Sequence, residues 1–154
     1  MKSFLALVSL LLSASPVFAD DFVYLKCENK MTLISTEVGT EKLLNRETKS
    51  ETVYFKIDPA GKRFTSYNPS SSQQVLKWNE AAVVGGALRA SLSENNEALQ
   101  VDGEIVVEFQ PAGKLNSQVL AVAFGMISSD IDIVGDCVAV AESVFAEVLK
   151  ESQN

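Results

Sequence analysis

Two cysteines and one small group of acids are the residues whose types and spacing could do chemistry. Cys27 and Cys137 are the only thiols in the 154 residues. An even count in an exported chain predicts one disulfide. Closing a loop of that span removes about 4–5 kcal/mol of unfolded-state entropy in the chain model. The alternative is a pair of buried free thiols, since unpaired cysteine is among the most buried residue types. Asp130, Asp132 and Asp136 are the only clustered acids, in SSDIDIVGD. Oxygen ligands two residues apart suggest a calcium loop. The glycine falls in the wrong place for one, and the twelfth position from Asp130 is Ala141 instead of glutamate. No metal site is expected. The aspartates read as the solvent side of a strand whose other side carries Ile131 and Ile133.

The chain contains no histidine. That removes the commonest general base, the usual triads and most zinc and copper sites. With both cysteines oxidised, no thiol nucleophile remains. No SxxK or GxSxG pattern marks a serine nucleophile. Gly85–Gly86 lies in neither GxGxxG nor GxxxxGK, so no phosphate loop is expected. Paired carboxylates for glycoside hydrolysis would have to meet in the fold, and the acids here fall on scattered outward positions. No catalytic residue and no cofactor is assigned. The chain reads as a non-enzymatic binding or interaction module, with a carboxylate-based hydrolase as the enzymatic alternative.

The N-terminus explains the oxidising compartment. Lys2 precedes an apolar run, Phe4–Leu12, and Val17–Phe18–Ala19 places small residues before a cut. Residues 1–19 are expected to be a signal peptide, cleaved between Ala19 and Asp20. The run is shorter than the roughly 20 apolar residues of a membrane span. The mature chain is therefore expected to lack an integral membrane segment and to be periplasmic or secreted. Residues 20–154 read as a single β-rich domain. The net charge of −7 is acidic and argues against nucleic acid and anionic membrane surfaces. The expected partner is a protein or a small ligand.

The elements that must hold the two cysteines follow from periodicity. Phe22–Glu28 alternates, with Val23, Leu25 and Cys27 on one face and Phe22, Tyr24 and Lys26 on the other. Asn29–Lys30 is expected to turn into a second strand, Met31–Val38. Gly39–Glu51 reads as a charged loop, or one helical turn around Leu43 and Leu44. Thr52–Asp58 is a strand, followed by turn residues Asp58–Gly61 and a partner strand, Arg63–Tyr67. Gln73–Trp78 is a short strand whose Trp78 packs in a core or at its rim. Gly85–Gly86 turns the chain into Ala87–Ser93, with Leu88, Ala90 and Leu92 inward. Asp102–Gly103 is expected to turn a hairpin between Ala98–Val101 and Glu104–Gln110. Val119–Ile127 reads as one buried central strand, and Asp130–Val138 as the last. From Ala139 to Glu151 the period changes. Val140, Ala141, Val144, Phe145, Val148 and Leu149 form one face of an amphipathic helix, residues 139–151. The repeated PAGK at 59–62 and 111–114 is convergent turn chemistry and not a duplication. The fold class is mainly β: an antiparallel meander or small barrel of seven to nine strands with a C-terminal helix.

YLKC at 24–27, VEFQPAGKL at 107–115 and GDC at 135–137 give a layout that resembles a broad set of small exported bacterial β-proteins of unassigned function. Such proteins often carry a basic residue before the late turn, where this chain has Phe109–Gln110. Tyr24–Cys27 is also loosely similar to the first strand of the periplasmic inhibitors of C-type lysozyme, which are small disulfide-bonded barrels. Their strand is spaced YxC and this one YxxC, and their inhibitory serine loop has no counterpart here. The first resemblance implies no activity. The second implies a periplasmic inhibitor-like protein, with no inhibitory residue carried over.

Overall fold

The computed structural model of the protein describes residues 21–71 and 76–151. The leader, its boundary at Ala19–Asp20, and residues 73–75 of the strand expected at Gln73–Trp78 lie outside them. Nine strands run in chain order: β1 Val23–Glu37, β2 Leu43–Asp58, β3 Arg63–Tyr67, β4 Asn79–Glu80, β5 Ala82–Val84, β6 Ala87–Asn95, β7 Leu99–Phe109, β8 Ala112–Ala123 and β9 Ile127–Ala139. One helix follows, α1 Glu142–Glu151. Every pairing is antiparallel, and the sheet order is β4-β3-β2-β1-β9-β8-β7-β6-β5. The two edge strands are separated in sequence by Ala81 alone, whose N–H donates to the Lys62 carbonyl at 2.9 Å. The meander thus returns on itself as a nearly closed barrel. Among the described residues, no helix is long and apolar enough to cross a membrane.

Three expected boundaries give way to longer strands. Asn29–Lys30 is no turn: β1 runs straight through it, because the odd positions keep one face from Val23 to Ser35. Gly39–Glu51 is not a charged loop beyond Lys42. From Leu43 it is strand, paired to Asn29–Thr36 with a bulge near Leu44. Its ladder bonds come from β1, and its charged side chains are wet on both faces, so no apolar alternation betrays it. Asp102–Gly103 is also mid-strand, inside β7. A side chain at Gly103 would strike the Gln118 carbonyl, so the glycine marks a close approach of β7 and β8 instead of a hairpin.

Three further expectations shift. Leu76–Trp78 is not strand; β4 begins at Asn79. The apolar run Val119–Ile127 breaks at Phe124–Gly125, where φ is +51° and +64°. That is the backbone of a type I′ hairpin turn, with Phe standing where Asn is usual. The helix starts at Glu142, because Ala139 still pairs with Leu25 in β9.

The core fills the end of the barrel that β3, β4 and β5 close. Leu25, Cys27, Phe55, Ile57, Leu88 and Val107 are its most enclosed side chains. A second cluster lies on the outside of β1–β3, where α1 packs Phe145 against Tyr24 and Tyr67. Glu142 in the first turn and Lys150 in the last complement the helix dipole. Beside it, Phe22 stacks on Trp78 at 5.9 Å, and the Lys56 ammonium lies 4.1 Å from the Phe22 ring. Trp78 is a rim residue, 41% exposed, with the Arg63 guanidinium 4.5 Å from its ring.

Burial, and then the Glu142 carboxylate, push the Tyr24 hydroxyl up to about 12. Between pH 10 and 12 the unfolded chain has lost this proton and the folded one retains it. Stability is fully present below pH 10 and falls as pH rises through that window. Tyr24→Phe should flatten the fall in an alkaline series of denaturant titrations. An unchanged slope would show that Tyr24 does not cause it.

Candidate functional site: the open half of the barrel

β1, β2, β6, β7, β8 and β9 are longer than the closed end requires. β3 covers β2 only at Tyr54–Asp58, and β5 covers β6 only at Ala87–Arg89. Beyond those levels six strands continue as an open wall, with β2 and β6 as its edges.

The ladder register fixes which side chains share its inner face with the core. On β1 they are Asn29, Met31, Leu33 and Ser35, opposite Gly135, Ile133, Ile131 and Ser129 of β9. On β8, Val119, Ala121 and Ala123 stand beside Gly103, Val101 and Leu99 of β7. On these four strands the apolar surface continues from the core outward, with polar residues set into it. Ile133 still packs on the core. Met31, Leu33, Ile131, Val119, Val101 and Leu99 are half-buried and belong to neither buried cluster. From Ile127 to Ile133 this surface is about 20 Å long at the strand rise.

Three polar features punctuate it. Ser117 of β8 is buried between Ile105 and Ile133 and donates to the Glu104 carbonyl at 3.0 Å. At the floor, Asn29 is 5% exposed, and among the described residues its Oδ1 has no hydrogen-bond partner. Buried amide oxygens are normally satisfied, and an orphan one costs about 1–3 kcal/mol. Gly135 makes room for it, since a side chain there would collide with the Asn29 amide. Toward the mouth, the hydroxyls of Ser35 and Ser129 meet at 2.8 Å. The mouth is mixed: exposed apolar residues stand there beside the charged tips Glu37–Lys42 and Glu94–Glu97. The β1–β2 and β8–β9 hairpin tips are tied by the Val38 N–H bond to the Met126 carbonyl. Val38, Met126 and Phe124 are exposed there, Phe124 at 68%.

The outer face carries the clustered acids. Asp130, Asp132 and Asp136 point to solvent, alternating with the inward isoleucines as the sequence suggests. A groove of 600 Å³ runs past Asp102, Glu104, Asp130 and Asp132. Another, of 720 Å³, lies by Gly135, where Lys114 pairs with Asp136. Both follow the saddle shape that twist imposes on a barrel wall. Among the described residues, no three His, Cys, Asp or Glu gather as metal ligands would.

Cys27 and Cys137 form a disulfide and stand directly opposite each other on β1 and β9. Their Cα atoms are 4.0 Å apart, closer than the 4.4–6.8 Å usual for a disulfide. The reason is their place in one non-hydrogen-bonded cross-strand pair, the narrow spacing of an antiparallel ladder. The bond is structural: both residues are buried in the core. Asn29 on β1 and Gly103 on β7 are inner positions that the sequence placed in turns, although unbroken odd-position alternation along β1 pointed to Asn29.

The fold defines an up-and-down antiparallel, nearly closed barrel, filled at one end and open at the other, where an apolar strip on β1, β7, β8 and β9 is flanked by the charged inner positions Glu47, Lys49 and Glu51 of β2. No family model, curated protein or solved structure matches the chain.

Proposed function

We propose that the protein is an exported, non-enzymatic binding module that takes an elongated apolar ligand, such as an acyl chain, on the inner wall of its open half. One observation carries this reading. Half-buried Met31, Leu33, Ile131, Val119, Val101 and Leu99 extend the core surface toward the mouth, where Val38, Phe124 and Met126 are exposed, above the orphan acceptor of Asn29. A concave apolar surface with few placed polar groups suits a small hydrophobic ligand. The Asn29 amide oxygen would accept a hydrogen bond from a ligand that ends in an O–H or N–H group, such as a fatty alcohol or amide. Export is supported by the leader sequence and by the disulfide, which suits an oxidising compartment.

A fluorescent long-chain acyl probe should bind the exported protein. Ile131→Glu places a carboxylate in the apolar wall and should weaken binding by about tenfold or more. Val119→Glu should do the same. Val134→Glu changes an exposed outer residue on the same strand as Ile131 and should have no effect. Absence of probe binding, or equal loss in all three variants, would refute the assignment.

A further inference from the structure

We infer that the open edge of β2 pairs antiparallel with the same edge of a second copy, about a two-fold axis at Thr48. Among the described residues, no strand pairs with Leu43–Val53 on the side away from β1. Such an edge offers a row of backbone donors and acceptors.

Their direction follows from the disulfide pair. Cys27 sits in a non-hydrogen-bonded pair with Cys137, so its own N–H and C=O turn toward β2, where it meets Val53. By alternation, odd residues of β2 bond β1. Even ones, Arg46, Thr48 and Ser50, turn their backbone groups to the open edge.

A two-fold axis at Thr48 makes Thr48 a hydrogen-bonded pair with its own copy and sets Arg46 against Ser50. The close, non-hydrogen-bonded positions then bring Glu47 of each copy opposite Lys49 of the other. Opposite charges at that spacing attract, and like charges repel. Neighbouring registers fail. An axis at Glu47 or at Lys49 sets two like charges face to face. An axis at Ser50 runs Arg46 into Tyr54, which β3 already holds. Thr48 is also the midpoint of Arg46–Ser50, the part of the edge clear of Asn68, whose amide donates to the Glu51 carboxylate at 2.8 Å. An isologous contact of this kind closes on itself as a dimer. It leaves the inner walls of both copies on the same side of one continuous sheet.

Sedimentation of the exported protein should give a concentration-dependent dimer. Glu47→Lys and Lys49→Glu should each weaken it by on the order of tenfold. The double variant, with the charges exchanged, should recover it. Circular dichroism of each variant checks that these exposed changes leave the sheet intact. Thr48→Cys should crosslink two copies without added reductant, since its opposed Cα atoms would lie about 5.5 Å apart. Ser93→Cys, on the β6 edge, should not. A monomer at every concentration, a dimer indifferent to the single changes, or a double variant that fails to recover would each overturn the inference.

Discussion

Reducing the Cys27–Cys137 bond should lower the unfolding free energy by roughly 2–5 kcal/mol with little change in β content. The bond closes a separation of 110 residues between the first strand and the last. In the folded protein those strands already hold each other, with pairs running from Leu25–Ala139 to Glu37–Ile127. The crosslink therefore duplicates a native contact and acts mainly on the unfolded chain. Its loss is comparable to much of the net stability of a small domain. Denaturant titrations with and without reductant measure the effect, and far-ultraviolet circular dichroism follows the sheet. Collapse of the β signal on reduction in native buffer would mean that the bond, and not the ladder, holds β1 to β9.

Phe145→Ala should cost about 3 kcal/mol. Phe145 is the buried residue of α1, with its ring centroid 5.7 Å from that of Tyr24 and its side chain among Tyr24 and Tyr67. No other residue of the helix is as deeply enclosed, and a helix of ten residues does not hold itself together in water. Truncating the ring leaves a cavity and frees the helix together. The denaturant midpoint should fall with little change in the slope. A midpoint unchanged within error would show that α1 is not seated on the β1–β3 face in solution.

The disulfide, the C-terminal helix and the barrel class were legible because each leaves a periodic or countable trace. Val23, Leu25 and Cys27 alternate, Val144, Phe145 and Val148 fall on one helical face, and an even pair of cysteines brackets the strands. The open half was illegible for a physical reason. Period-2 patterning appears where one strand face is dry and the other wet, and Leu43–Glu51 has both faces in water. Turn chemistry misled twice in opposite senses. Asp102–Gly103 has hairpin residues but serves a close approach of two strands. Phe124–Gly125 has apolar neighbours but makes a tight turn. In the first case the contact with β8 decided the outcome, and in the second the pairing of β8 with β9 on either side of the turn did.

Methyl-labelled nuclear magnetic resonance of the protein, titrated with a long-chain acyl ligand, tests the open inner wall most directly. Perturbations gathered on Met31, Ile131, Val119, Val101 and Leu99, with Val134 and Val138 on the outer face unmoved, are the expected result. No shift at the inner methyls at saturating ligand, or shifts confined to the outer face, would contradict the inner wall as the binding surface.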